Sequence, residues 1–164
     1  MAIVYSRVDS RLVHGQVGAK LVRHLNISNI CIVDDEVAKD EFMKSIYQIS
    51  SQACGAKVEI ITVEQAVLKQ QNNGFTSRYM LLFASIANAY KSFKAGLEIP
   101  ELAIGSIKCD GPDMKLANKL VYISKEDAEK LREMAASGMN AYFQLMPDEG
   151  EPVSVETGCK NAGF

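Results

Sequence analysis

Apolar residues fall in short blocks along the chain, and their spacing alternates between two patterns. AIVYS (2–6), NICIVDD (29–35), KVEIITV (57–63), RYMLLFAS (78–85), ELAIGSI (101–107), KLVYIS (119–124) and NAYFQLMP (140–147) are apolar or β-branched runs of strand length. Between them the spacing widens to three and four. QVGAKLVRHL (16–25) sets Val17, Leu21 and Leu25 on one helical stripe, and VAKDEFMKSIYQISS (37–51) does the same with Phe42, Ile46 and Ile49. EQAVLKQQ (64–71) and IANAYKSFKAGL (86–97) are further helices, the second closing near Gly96. Ser124 precedes a fifth helical run with Asp127 three residues on and Gly138 as its stop. Residues 148–164 read as a polar tail.

Strands alternating with crossover helices predict an α/β fold: three layers, a mostly parallel central sheet of about seven strands, and helices on both faces. The strand runs are continuous rather than alternating, as a sheet covered on both sides requires. No repeat and no low-complexity linker divides the chain, so residues 1–164 are expected to form a single domain. In such folds ligands gather at the carboxyl ends of the strands, near a switch point. The loop after the first strand therefore has a privileged address.

Composition narrows the function classes. A net charge of −2 supplies no long-range field for nucleic acid or an anionic membrane, so an anion would need a local cluster of cations. Tryptophan is absent and the other aromatics are not interleaved with basic runs, which argues against a stacking platform for nucleic acid. The amino terminus is charged within seven residues and no apolar run is long enough to span a membrane, so a cytoplasmic location is expected. Cys31, Cys54, Cys109 and Cys159 are scattered without a C-x-x-C pair, and reduced thiols are expected, Cys31 in the core.

The candidate chemistry lies in RVDSRLVHGQV (7–17). Arg7, Asp9 and Arg11 alternate, which in an extended segment puts all three on one side. Two guanidiniums can clamp a phosphate in fork-like fashion, with Asp9 orienting them. His14 follows, immediately ahead of a helix start where backbone N–H groups of Gly15 and Gln16 favour an anion. The set suits a phosphoryl group moving onto or off imidazole. A Walker loop is absent, which makes ATP an unsuitable direct donor. On spacing alone the loop reads either as this anion pocket or as a solvated turn.

The run R-V-D-S-R-L-V-H-G-Q-V resembles the signature of the IIB subunits of the mannose/fructose/sorbose family of the phosphoenolpyruvate-dependent sugar phosphotransferase system. ICIVDDEVAKDEF (30–42), VEIITVEQAV (58–67), YMLLFASIANA (79–89), LAIGSI (102–107) and KLVYISKEDAEKL (119–131) continue the resemblance in family order. It implies that His14 is the phosphorylated histidine, that Arg7, Arg11, Gly15 and Gln16 bind the phosphoryl group, and that Asp9 supports them. It further implies a phosphorylated IIA protein as donor, a sugar as acceptor, membrane IIC and IID subunits as partners, and peripheral association with that transporter. No metal or dissociable cofactor is expected, and a homo-oligomer is left open. The fold it implies carries an antiparallel strand near the carboxyl terminus, which suits 140–147. Four features depart from the family pattern: Ser10 stands where aspartate is commoner, the first helix lacks a tryptophan, the turn Ser51-Gln52-Ala53-Cys54-Gly55 lacks the family's prolines, and the segment 105–119 is unusual.

Rival readings keep the fold and change the chemistry. A non-catalytic regulatory module would use the Arg7/Arg11 loop to hold a phosphorylated ligand or an acidic partner. A receiver-like protein would take phosphate on Asp35, with Asp34 and Glu36 near a magnesium ion. The acids are better explained as helix caps or as partners of loop arginines. His24 suits the carboxyl end of the first helix. Ser85, at the end of the fourth strand, could donate a hydrogen bond to phosphate, and Ser106 and its neighbours could supply backbone donors.

Overall fold

The computed structural model describes residues 3–13 and 15–164, with the side chains of Gly15, Gln16 and Val17 outside that description. His14 lies outside the described residues. In chain order the strands are β1 (Ile3–Val8), β2 (Asn29–Val33), β3 (Lys57–Ile61), β4 (Tyr79–Phe83), β5 (Glu101–Ile104), β6 (Lys115–Asn118), β7 (Val121–Ile123), β8 (Asn140–Phe143) and β9 (Val153–Ser154). The helices are α1 (Gly15–His24), α2 (Glu41–Cys54), α3 (Val63–Gln71), α4 (Ile86–Lys94), α5 (Lys125–Ala136) and α6 (Val155–Asn161), with a 3-10 turn at Val37–Lys39.

Among the described residues one sheet of seven strands runs in the order β3-β2-β4-β1-β5-β8-β9. Every neighbouring pair is parallel except β8 with β9. Two apolar cores result, one on each face. Leu21 and Val22 of α1 and Cys54 of α2 pack with Ile30, Ile32 and Leu82 on one side. Residues of α3, α4, α5 and α6 pack with Val8, Phe83, Ile104 and Phe143 on the other. The chain therefore leaves β1 toward one face but leaves β4, its neighbour, toward the opposite face. That divergence opens a crevice at the carboxyl end of β1, where the charged loop sits.

Local chemistry sets the element ends. Ser124 and Asp127 form a reciprocal capping box at α5, as their spacing predicts, and Thr62 and Gln65, read as strand end and helix interior, form another at the start of α3. Asp40 caps α2 through the N–H groups of Phe42 and Met43, so that helix begins four residues later than its apolar spacing suggests.

Three expectations are corrected. The run 119–124 does not join the main sheet; β7 pairs with β6 in a separate antiparallel ribbon that touches the region after β5 through a bridge from Ile107 to Val121. The run 140–147 is strand only over Asn140–Phe143 and lies parallel to β5, because a helical crossover through α5 returns the chain in the same direction. The antiparallel strand is β9, reached by a short loop, and it belongs to the segment read as a polar tail. That segment also forms α6, capped by Ser154 and buried through Val155, Gly158 and Cys159. No helix among the described residues is long and apolar enough to cross a membrane.

The carboxyl-terminal helix packs closely enough to require a glycine. A Cβ at Gly158 would lie 2.2 Å from Phe143 Cε2. Gly158→Ala is expected to cost about 2 kcal/mol through overpacking, read as a lower urea midpoint with an unchanged slope; an unchanged midpoint would refute this contact.

Candidate functional site

The loop after β1 is fastened to its neighbours through the backbone. The Asp9 N–H donates to the Phe83 carbonyl at 3.0 Å and the Ser10 N–H to the Ser106 carbonyl at 2.8 Å. Leu12 donates its N–H back to the Asp9 carbonyl at 2.9 Å, which closes a tight turn. Leu12 adopts φ 51°, a left-handed conformation that a branched side chain takes only when its surroundings impose it. Burial of Leu12 and Val13 against the α1 core supplies that imposition.

Asp9 is the centre of the side-chain network. It is 2% exposed. Its Oδ1 accepts from the Arg11 backbone N–H at 3.0 Å and from Arg11 Nε at 3.1 Å. Its Oδ2 accepts from Arg7 Nε at 3.2 Å, Arg7 Nη2 at 3.0 Å and Arg11 Nη2 at 3.2 Å. Burial alone would raise the Asp9 carboxyl pKa, but the hydrogen bonds from Arg11 and the charge of Arg7 outweigh it and hold the value below 3.8.

The two arginines are not equivalent. Arg7 is 1% exposed, and besides Asp9 it donates from Nη1 to the Gln144 carbonyl at 3.3 Å and from Nη2 to the Leu145 carbonyl at 2.7 Å. Gly105 leaves the slot for its guanidinium, since a Cβ there would overlap it. The space beneath the loop amounts to about 10 Å³, too small for a ligand. Arg7 is therefore turned inward, toward Asp9 and the carbonyls of Gln144 and Leu145, whereas the expectation was that Arg7 and Arg11 together hold one phosphate. The Arg11 side chain is 26% exposed and lies on the outer side of Asp9.

Gly15 and Gln16 open α1, whose first turn carries no acid and whose last turn carries Arg23 and His24. That charge distribution favours an anion at the helix start. His24 is exposed at the opposite end.

The remaining candidates do other work. Asp34 caps the 3-10 turn through the N–H groups of Glu36 and Val37, and its second oxygen accepts from Asn88 Nδ2. Asp35 accepts from the Val63 N–H and pairs with Lys91; the hydrogen bond from Lys91 is the main reason its pKa is lowered. Neither touches the loop arginines, and no cluster of metal-binding side chains occurs among the described residues. Ser85 caps α4, accepting from the Asn88 N–H. Ser106 holds the loop through its carbonyl, which accepts from the Ser10 N–H. Cys31 is in the core, where burial pushes its thiol pKa up.

Spacing missed several contributors. Gln144 and Leu145 act through backbone carbonyls, which leave no side-chain signature. Gln144 is itself held by its Nε2 on the Gly150 carbonyl at 2.9 Å, and the following residues Asp148 and Glu149 pair with Lys20 of α1. The only sequence signal was Gly105, a small residue directly after a buried strand.

A family model described as the sorbose-subfamily IIB component of the PTS system matches residues 3–158. The sorbose-specific EIIB component of Lacticaseibacillus casei is 29% identical over 147 residues, which is 89% of this chain and 88% of that protein. The mannose-specific EIIAB component of Escherichia coli is 27% identical over 141 residues, 85% of this chain but only 43% of that longer protein. The crystal structure of the IIBSor domain of the Klebsiella pneumoniae sorbose permease superposes with a TM-score of 0.86 at 26% identity, covering 100% of this chain and 99% of that one.

The buried ion network gives acid stability a defined sign. Because the folded carboxyl of Asp9 titrates below 3.8, its contribution is complete above that value and is lost as pH falls through the lower, folded value. Asp9→Asn is expected to lower stability near pH 7 by about 3 kcal/mol, since it leaves Arg7 buried without its counter-ion. The deficit should shrink on acidification below pH ~4; a deficit independent of pH in denaturant titrations would remove Asp9 from the network.

Proposed function

The chain belongs to the sorbose subfamily of IIB components of the sugar phosphotransferase system, and from that membership we infer that His14 is its phosphoryl carrier. The protein is a phosphotransferase subunit of sugar uptake. His14 accepts the phosphoryl group from a phosphohistidine on a IIA protein and yields it to a sugar. The joining of A and B components in one mannose-specific relative supports IIA as the donor. The sugar is presented by membrane IIC and IID subunits, with this chain bound to them at the cytoplasmic side.

The observation that carries the reading is the Asp9-centred guanidinium network in the loop running directly into α1. In this assignment Arg11 and the backbone N–H groups of Gly15 and Gln16 meet the phosphoryl oxygens. Asp9 fixes the Arg11 fork, and Arg7 positions Asp9 from below. The loop stabilises charge and holds geometry, which is most of what phosphoryl transfer needs; as the sugar oxygen bonds to phosphorus the N–P bond breaks and the hydroxyl proton is given up, with the released imidazole able to take it.

The regulatory-module reading predicts that no phosphoprotein forms, and the family match does not favour it. A receiver-like reaction on Asp35 loses its basis because both Asp35 oxygens are engaged, by Val63 and Lys91.

Incubation with phosphoenolpyruvate and the upstream phosphocarriers is expected to give an acid-labile phosphoprotein on wild type and none on His14→Ala. Equal labelling of the two, or a label cleaved by hydroxylamine, overturns the assignment. Arg11→Lys keeps the charge but loses the planar fork, and should slow transfer about tenfold with unchanged folding. Wild-type transfer rates in that variant would take Arg11 out of contact with the phosphoryl group.

A further inference from the structure

The loop that joins β8 to β9, residues 144–152, touches both halves of the phosphoryl site. On its inner side two carbonyls receive Arg7, Gln144 from Nη1 at 3.3 Å and Leu145 from Nη2 at 2.7 Å. On its outer side Asp148 and Glu149 meet Lys20 of α1, the helix that opens at Gly15. The two carbonyls are held by different means. The Gln144 N–H donates to the Ile104 carbonyl at 3.1 Å, which extends the pairing of β5 with β8 and fixes that backbone beside Gly105. Leu145 lies beyond the paired residues of β8, so the sheet does not fix its carbonyl. The loop does so by closing on itself. Gln144 Nε2 donates to the Gly150 carbonyl at 2.9 Å, and the Glu149 N–H donates to the Met146 carbonyl at 3.0 Å.

The Leu145 carbonyl takes the shorter of the two bonds from Arg7, and the nitrogen that makes it is shared. Arg7 Nη2 also donates to Asp9 Oδ2 at 3.0 Å, and that same oxygen accepts from Arg11 Nη2 at 3.2 Å. A line of contacts therefore runs from the Gln144 amide through the Leu145 carbonyl, Arg7 and Asp9 to the guanidinium at the rim. Gln144 is buried, whereas Gly150 is exposed. With the amide removed, the Gly150 carbonyl takes water in its place, so little folding energy is lost. What is lost is the position of the loop, and a misplacement of about 1 Å at a reacting site costs about a hundredfold in rate. The tie to Lys20 counts for less. All three of its side chains are 40% or more exposed, and ion pairs so placed contribute little.

We propose that Gln144 is a positioning residue for the transfer: its amide closes the loop between β8 and β9 so that the Leu145 carbonyl fixes Arg7 and, through Arg7 and Asp9, aims the Arg11 fork at the phosphoryl group. The proposal rests on His14 as phosphoryl carrier and on Arg11 as a contact of the phosphoryl group. It gives the Gln144 side chain a task that packing at a strand end does not. Packing there would be met equally by methionine, which matches glutamine in length and lacks the donor.

Single-turnover transfer from phosphorylated IIA separates the limiting rate from the half-saturating donor concentration. In Gln144→Met the limiting rate is expected to fall about fivefold with the half-saturating concentration unchanged, as follows when a group is misplaced after the donor has bound. The loss should depend on Arg11. In the Arg11→Lys background, itself about tenfold slow, adding Gln144→Met should leave the rate about tenfold below wild type rather than about fiftyfold. Thr62→Ala, which removes the cap of α3 at the far edge of the sheet, lowers stability away from the loop and should transfer at the wild-type rate. An unchanged limiting rate in Gln144→Met overturns the proposal. So do multiplicative losses in the double variant or an equal slowing in Thr62→Ala, either of which would make the effect one of stability. A rise in the half-saturating concentration alone also overturns it, and would make the loop a docking surface for IIA. Wild type that carries no acid-labile label at His14 overturns the carrier assignment instead, and the positioning role with it.

Discussion

A guanidinium buried beneath the first loop is the constraint on which the site depends. Arg7 is 1% exposed, and a charge so placed is tolerated only when its donors are matched. The matching draws on three strand ends at once. Asp9 follows β1, Gly105 follows β5, and the carbonyls of Gln144 and Leu145 follow β8. Those strands are neighbours in the sheet, so the cation ties their carboxyl ends together where the fold opens its crevice. The loop's shape follows from this. With one Asp9 oxygen drawn down to Arg7, the other faces Arg11, and the turn closes through Leu12 in a conformation it would not choose alone.

The address of the site and its residue types were legible in the sequence, but the division of labour was not. Alternation at positions 7, 9 and 11 places three charged side chains on one side of an extended segment, and there they are. Alternation is blind to depth, however, and depth is what separates Arg7 from Arg11. The sheet buries the first and leaves the second at the rim. The partners that decide this are main-chain carbonyls about 140 residues away, and such contacts have no compositional trace. The acid turn after β2 illustrates the converse. Its residues suggested a metal or an arginine partner, whereas short-range N–H groups and Lys91 satisfy them.

Periodicity likewise identified helices better than faces. Phe42, Ile46 and Ile49 have helical spacing, yet they are 73%, 39% and 68% exposed on α2, while Ser51 and Cys54 are buried. The reason is a close helix crossing. A Cβ at Gly18 of α1 would lie 2.8 Å from Cys54 Sγ, so the two helices meet through their smallest side chains and rotate the larger ones outward. The carboxyl-terminal segment misled for a related reason. Besides Val155, its buried helix positions are Gly158, seated against Phe143, and Cys159, small residues in a polar sequence. Small buried residues carry packing information that hydrophobic pattern does not weigh.

The same network bears on how a carrier differs from a binding protein. A group that must be received and then given up cannot be held much more tightly in one bound state than in the transition states on either side. Two arginines facing solvent would make a strong phosphate trap. Here Asp9 neutralises one guanidinium outright and engages the Nε and Nη2 of the other, so Arg7, Asp9 and Arg11 together present a single net positive charge. The buried half of the network supplies rigidity, and the outer half supplies a moderated attraction. Deleting Asp9 would then not simply weaken the site: it would free Arg11 from its fixed geometry and unbalance Arg7, trading a poised loop for a more basic and less ordered one.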